Sequence, residues 1–293
     1  MQYHFEKSYG LNETQLVDIQ RLETTCNQFE GLAMKLNWST LHDRPKEQSS
    51  DFLYYADSQL VGYLALYGFN QREVEVSAMT HPDHRRQGIF RQLLAAANLE
   101  LKERQVPEFL FICERASASG VACMQAIAAR YDFSEYKMGL QQAGVKPGPA
   151  PADLQLRPAR PEDIDALVKM DESCFRVSAD AAKRWMAHDL ADSKRRILLA
   201  TFGPVEIGKI HVLINEAETY ISGFCLLPEY RRKGYGKIIL TRTLDQLVAD
   251  QGRPISLEVA TENEHALSLY EHCGFRTITA YDYYRLPVDG AEG

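Results

Sequence analysis

Residues 231–237 read RRKGYGK, four cationic side chains interleaved with two glycines. The run before them, TYISGFCLLP (219–228), is β-branched and aromatic, and the residues after them carry an apolar stripe at 240, 244, 247 and 248 that stops at Gly252. That order reads as strand, loop, helix. A helix start leaves backbone N–H groups without intrahelical partners and carries the positive end of the helix dipole. Gly234 and Gly236 remove Cβ where a ligand would approach the backbone, and Arg231, Arg232, Lys233 and Lys237 add charge. The chemistry this suits is capture of a pyrophosphate. Two other phosphate loops do not fit: a P-loop needs Ser or Thr where Ile238 stands, and a dinucleotide fingerprint needs a third glycine where Ile239 stands.

The elements that would position this loop follow from the flanking patterns. RILLATFG (196–203), VEIGKIHVLIN (205–215) and TYISGFCLLP (219–228) are punctuated by Gly, Pro and Asn and predict an antiparallel meander. ISLEVA (255–260) predicts a further strand, and Thr261 with Glu264 predicts a capping box for a helix running through Tyr270 to Gly274. FRTITAYDYYRLP (275–287) supplies closing strands. MDESCFRVSADAAKRWMAHDL (170–190) predicts a helical acceptor flap, where Asp171 and Glu172 could meet a cationic amine, although such a charge pair is usually a solvated face.

The same plan is written twice. DHRRQGIF (83–90) matches the later loop with Arg85, Arg86 and Gly88 146 positions before Arg231, Arg232 and Gly234, and LVGYLAL (60–66) matches EIGKIHV (206–212) through Gly62 and Gly208. A repeat of this length is a duplicated domain. Phe90 replaces the small residue at the end of the first loop and falls on the apolar stripe Phe90, Leu94, Ala97, Leu101, so its ring is expected to anchor in the core. Between the copies the proline-rich VKPGPAPAD predicts a linker. The expected layout is a diverged domain over 1–145, a linker over 146–153 and a second domain over 154–293.

The 293 residues suit two domains, and 45% hydrophobic residues suffice for two cores. A net charge of −7 argues against a general nucleic-acid binder. The six cysteines are scattered without a CxxC pair, as in a reducing compartment, and the N-terminus has no signal pattern. No stretch reaches the apolar length of a membrane span. The expectation is a cytoplasmic protein without nucleic-acid or membrane partners. His81, His84, His265 and His272 lack acidic or thiol partners at ligand spacing, so no metal is expected.

The second half resembles the GCN5-related N-acetyltransferase (GNAT) superfamily. Residues 231–236 satisfy its [RQ]-x-x-G-x-[GA] cofactor loop, and LEVATENEHALSLYEHCGF (257–275) resembles its second signature. The spacing is similar to that of ribosomal-protein alanine N-acetyltransferases, and the tandem arrangement is similar in plan to mycothiol synthase. The resemblance implies an α/β (α+β) fold of two tandem GNAT-like domains, each a mixed, mostly antiparallel sheet flanked by helices. It implies acetyl-CoA as co-substrate, with the pyrophosphate on the amides of Arg232, Lys233, Gly234, Tyr235, Gly236 and Lys237 and the pantetheine beside Phe224, Cys225 and Leu226. Asn263 would orient the pantetheine or a water. Glu258 would take the amine proton, and Tyr270 would protonate the departing sulfur. The acceptor would be a primary amine of a small molecule or peptide.

In the first half, aligning Tyr131-Asp132-Phe133 with Cys273-Gly274-Phe275 puts Ala128 at the Tyr270 position, Val121 at the Asn263 position and, with a gap, Glu114 at the Glu258 position. Alanine cannot donate a proton, so the second half is expected to catalyse. Two alternatives remain open on the sequence: a noncatalytic coenzyme A-binding or sensing protein, which intact Glu258 and Tyr270 disfavour, and Fem-like aminoacyl transfer from tRNA, which the acidic balance disfavours.

Overall fold

The computed structural model describes residues 2–44, 46–68, 72–141, 151–215 and 217–288. Most of the expected linker lies outside them. In chain order the described elements are β1 (Tyr3–Ser8), α1 (Glu13–Glu30), α2 (Trp38–His42), β2 (Asp51–Ala56), β3 (Gln59–Tyr67), β4 (Glu73–Thr80), α3 (Ile89–Glu103), β5 (Glu108–Glu114), α4 (Ala118–Ala126) and β6 (Arg130–Leu140). They continue with β7 (Leu154–Pro158), α5 (Ile164–Phe175), α6 (Ala179–Ala191), β8 (Arg195–Phe202), β9 (Val205–Ile214), β10 (Thr219–Leu226), α7 (Tyr235–Gln251), β11 (Ile255–Ala260), α8 (Glu264–His272) and β12 (Phe275–Pro287).

The chain forms two compact units, one of residues 1–135 with 279–293 and one of residues 136–278. The last strand of the chain therefore belongs largely to the first unit. FRTITAYDYYRLP is one strand, β12, and Tyr281–Pro287 pair antiparallel with Glu114–Glu108 of β5.

The first unit has the strand order β1-β2-β3-β4-β5-β12. Phe52, Val61, Leu64, Leu93, Leu94, Phe109 and Phe111 pack on the α3 face, and Ile19, Leu22, Leu41, Leu53 and Tyr63 on the α1 face. Alternation along each strand sends successive side chains to these two cores. α1 opens on an Asn12–Gln15 capping box and ends at Gly31 in the left-handed region, φ 68°.

The second unit has the order β6-β11-β10-β9-β8-β7. The β8, β9 and β10 bounds agree with the sequence expectation, and ladders β8–β9 and β9–β10 make the antiparallel meander. One face packs Ile210, Val212, Leu240, Leu244 and Leu257 against α7 and α8, and the other packs Leu199 and Cys225 against Leu167, Met170 and Met186 of α5 and α6. α8 begins two residues later than the Thr261–Glu264 reading: Asn263 is the N-cap, its Oδ1 accepting from Ala266 N at 3.2 Å. Asp171 is buried rather than on a solvated face, paired with Lys209 Nζ at 2.5 Å. The cores are those of a mixed α/β fold, the strands of each unit pairing mostly antiparallel, with a parallel ladder at β4–β5 and another at β10–β11.

Candidate active site

β10 contains one residue more than its partner can match. Its antiparallel register with β9 runs from Thr219↔Ile214 to Ser222↔His211, then resumes at Cys225↔Lys209. The bulge is at Gly223, held at φ +54°, the left-handed backbone that glycine tolerates. The parallel ladder to β11 extends only from Thr219↔Ile255 to Ile221↔Leu257, although the strands go on to Leu226 and Ala260. Past that pair no further β10–β11 ladder partners occur among the described residues, and the bulged stretch of β10 follows. Phe224 and Leu226 pack toward α7 and α8 while Cys225 faces α5.

The glycine loop follows at once. Pro228–Tyr230 form a 3-10 turn, Arg232 takes φ 59°, Gly234 takes φ 83° as N-cap, and α7 starts at Tyr235. A Cβ at Gly234 would meet no atom within 4 Å, so the loop faces open space there. The first-turn amides from Tyr235 point out of the helix start, as an anion site needs. Arg231 is turned back into the protein: its Nε donates to Leu226 O at 2.8 Å and its Nη2 lies 3.5 Å from Cys174 Sγ. Lys233 Nζ sits 5.4 Å over the Tyr230 ring, and Tyr235 packs against Phe202.

Glu258, half-buried on β11, lies one residue beyond the Ile221↔Leu257 pair and on the face opposite Leu257. Ser222 takes the corresponding step on β10, and its partner across β9 is His211. His211, Ser222 and Glu258 thus form a row across three strands on the α5–α6 face. Tyr270 on α8 is 8% exposed and packs edge-on against Phe275. Burial pushes its phenol up to about 12, so it stays protonated at neutral pH. Asn263 caps α8 with the side chain that the resemblance assigned to the pantetheine.

Sequence reasoning did not single out Gly223, His211 or Cys174. A lone glycine inside a strand pattern is itself a bulge signal, and TYISGFCLLP carries it. Cys174 has a thiol drawn down to about 6: hydrogen bonding with Cys225, with the charges of Arg231 and Lys209, outweighs its partial burial. Cys225 is pushed the other way by that same contact and by burial.

The first unit repeats the frame without the chemistry. Arg85 Nε donates to Thr80 O at 3.1 Å, as Arg231 does to Leu226, and Cys26 Sγ approaches Thr80 O as Cys174 Sγ approaches Leu226 O. Arg86 and Gly88 have φ 65° and 82°, close to Arg232 and Gly234. Phe90 packs on the core and against Phe111, where Gly236 instead has Leu269, Leu226 and Phe224 for neighbours. The 146-residue offset then holds through the end of the repeat. Ser117 and Asn263 cap α4 and α8, Ile127 and Cys273 end them, and Ala128 (φ 55°) stands where Gly274 (φ 98°) does.

This offset corrects the alignment drawn from Tyr131-Asp132-Phe133. The counterpart of Tyr270 is Met124, not Ala128, and that of Asn263 is Ser117, not Val121. Phe111 and Leu257 each close a parallel ladder, so Glu258 answers to Ile112 and not to Glu114. Glu114 is occupied elsewhere, accepting from Ala33 N at 2.7 Å and Thr279 Oγ1 at 2.6 Å. The β3–β4 register runs unbroken from Gly62↔Thr80 to Tyr67↔Glu75, with no bulge.

A mixed sheet with a bulged central strand, a parallel ladder that stops short beside it and free amides at a helix start can hold an extended, diphosphate-bearing ligand. Comparison with known proteins supplies the family. The Acetyltransferase (GNAT) family matches residues 164–275, and an Acetyltransferase (GNAT) domain matches residues 48–128. The chain belongs to the GNAT acetyltransferase family and is an acyltransferase enzyme. It is 27% identical over 294 residues to mycothiol acetyltransferase of Actinosynnema mirum, covering 94% of this chain and 97% of that one. Over 81 residues it is 32% identical to the ribosomal-protein alanine N-acetyltransferase of Escherichia coli, 28% of this chain and 53% of that one. The fold is shared with a GCN5-related N-acetyltransferase from Sphaerobacter thermophilus (TM-score 0.82, 17% identity, 98% of this chain and 96% of that one). It is also shared with a tandem GNAT protein from the clavulanic acid biosynthesis pathway (TM-score 0.78, 15% identity, 98% and 99%). Among the described residues, no helix is long and apolar enough to cross a membrane.

Proposed function

We propose that the second unit transfers the acetyl group of acetyl-CoA to a primary amine of a small molecule or peptide by direct attack. The observation that carries this reading is the difference between the two copies. At matched positions the second has Glu258, Tyr270 and a bulge at Gly223, where the first has Ile112, Met124 and an unbroken ladder. Acetyl-CoA supplies an activated thioester. The amides of residues 232–237 would hold its diphosphate, with Lys233 and Lys237 adding charge, and the backbone of Phe224, Cys225 and Leu226 would line its pantetheine. Asn263, while capping α8, would stay within reach of that arm.

Glu258 takes a proton from the acceptor nitrogen, directly or through one water. An N–H in the bulged stretch near Leu226 faces the carbonyl oxygen as negative charge develops on it. Tyr270 gives its proton to the departing sulfur, a role its protonated state at neutral pH permits. The first unit, without a base or a phenol at these positions, supports the fold and takes no part in turnover.

The related proteins act on different amines by their names, a ribosomal-protein alanine and spermidine among them, which supports the amine class without choosing a member. The test is free-thiol release from acetyl-CoA against a panel containing an alanine-terminated peptide, spermidine and thiol-bearing primary amines. Turnover with at least one amine, lost in Glu258→Gln, supports the reading. Tight acetyl-CoA binding with no thiol release from any amine would instead mark a coenzyme A-binding protein.

A further inference from the structure

One polar group at the bulge has no part in the mechanism above. His211 on β9 is mostly buried, its side chain 12% exposed, and its Nε2 is inaccessible to solvent and has no hydrogen-bond partner among the described residues. Nδ1 lies 3.5 Å from Asp189 Oδ2 on α6. A carboxylate there favours the proton on Nδ1 and leaves the Nε2 lone pair unshared. The ring lies against Gly223: a Cβ at that glycine would come within 3.1 Å of Cδ2 and 3.4 Å of Nε2. The face of the imidazole therefore lies against the one residue where β10 bulges.

The charged groups around the ring are Asp189 from α6, Asp171 from α5 and Lys209 from β9, with Lys209 and Asp171 paired to each other. Ser222 faces it from β10, and Glu258 follows on β11. Asp189 is itself held by Arg195 Nε at 3.4 Å and lies 3.5 Å from His188 Nδ1. Burial lowers the affinity of His211 for a proton, keeping the ring neutral, the form with a lone pair to offer.

The other copy acts as an internal control. Ala65 of β3, paired with Ser77 of β4, holds the place of His211, paired with Ser222. The row reads Ala65, Ser77, Ile112 in the first unit and His211, Ser222, Glu258 in the second. The serine is common to both. The imidazole, the carboxylate, the phenol of Tyr270 and the bulge occur only in the second.

Resting on the acetyl-transfer reading above, we infer that His211, oriented by Asp189, is a further proton acceptor of this site, its Nε2 receiving an N–H of the acceptor amine. An ammonium acceptor gives up two protons on its way to an amide. Glu258 takes one before attack; Nε2 of His211 takes the other as nitrogen bonds to the acetyl carbon. The C–S bond breaks with its electron pair passing to sulfur, which takes the proton of Tyr270. The resulting imidazolium is balanced by Asp189. Both protons return to solvent and to Tyr270 before the next turnover.

The experiment compares wild type with His211→Ala, the residue of the other copy, and with His211→Gln. Expected are a fall in thiol release of roughly 100-fold or more, an acetyl-CoA Kd within about twofold of wild type, and partial recovery of His211→Ala by added imidazole. Imidazole rescue is a readout that a purely structural role would not produce. In parallel, the ¹⁵N resonances of His211 are followed in wild type saturated with coenzyme A while spermidine or an alanine-terminated peptide is added. A shift of Nε2 with either amine supports the inference even without turnover. Turnover of His211→Ala and His211→Gln within threefold of an active wild type overturns it and leaves acetyl transfer standing. If wild type releases no thiol, the reading beneath fails separately; an Nε2 resonance that neither amine moves, as expected for an ordered water alone, then overturns the inference too.

Discussion

The imidazole of His211 fills the space that any side chain at position 223 would need, with Cδ2 3.1 Å from where a Cβ would stand. The bulge in β10 is thus held by two constraints at once, a left-handed φ of 54° and a ring pressed on the residue that adopts it.

Gly223→Ala is accordingly destabilising. The left-handed backbone costs about 1–2 kcal/mol with a Cβ present, and the contact with the ring adds to it. In a unit of this size the apparent Tm should fall by roughly 2–8 °C. Combined with His211→Ala the loss should be smaller than the sum, because the smaller residue removes the contact and leaves only the backbone term. Strict additivity in thermal denaturation would show that the ring does not press on the bulge.

Tyr270→Phe should separate chemistry from binding. The ring packs against Phe275 in the α7–α8 core, and phenylalanine preserves that packing while removing only the hydroxyl. The expected outcome is a fall in kcat of about 10²-fold, with the acetyl-CoA Kd by calorimetry and the Tm nearly unchanged. Met124→Ala, at the same position of the other copy, should lower stability by about 2–5 kcal/mol through the cavity it leaves, with no specific loss of turnover in the protein that remains folded. A kcat effect of Tyr270→Phe below threefold would remove the phenol from the mechanism.

Much of this site is legible from local pattern, and what is not legible is tertiary. The strands 196–203, 205–215, 219–228 and 255–260 show themselves through β-branched runs and turn residues, and the Arg231–Gly236 loop through its charges and glycines. His211 is hidden because its role depends on register: only the pairing with Ser222, and the one-residue insertion beside it, put it in line with Glu258. The helix start at Asn263 is missed because Thr261 and Glu264 offer a competing cap three residues apart. The first-half alignment slips because Ala128 adopts the left-handed φ that glycine supplies in the second half, a strain invisible in its residue type. The partner of β12 is also beyond local reading, since β5 lies over 160 residues away along the chain.

Cys174 should react with iodoacetamide along a curve with its midpoint near pH 6. A lowered thiol pKa means that thiolate, and reactivity, appears as pH rises through that value, well before an ordinary cysteine near pH 8.5. Burial raises the thiols of Cys26, Cys113, Cys123 and Cys273, and Cys225 is raised by its contact with Cys174 and by burial, so at pH 7 a single adduct is expected by mass spectrometry. Arg231→Ala should shift the midpoint upward. The matched cysteine of the other copy differs first because burial raises its thiol, and then because Glu30, 3.0 Å from Arg85, opposes the charge of that arginine. Labelling of Cys26 at the same rate as Cys174 would show that burial does not protect it.

The repeated loop gives the sharpest separation of the two copies. Gly234 and Gly88 have nearly the same φ, 83° and 82°, and a Cβ at either meets no atom within 4 Å. Valine at either position therefore carries a similar backbone strain, and the two variants should lose similar stability. Their effects on turnover should diverge. Gly234→Val places a branched side chain where the diphosphate would lie against the amides of residues 232–237, and it should raise the KM for acetyl-CoA by roughly 10-fold or more, the equivalent of about 1.4 kcal/mol in binding. Gly88→Val should leave kcat and KM within about twofold, since no base or phenol stands beside that loop at Ile112 and Met124. Steady-state kinetics on the folded fraction of each variant decides the matter: an equal loss of turnover from Gly88→Val, with Tyr270 intact, would mean that both loops serve the reaction.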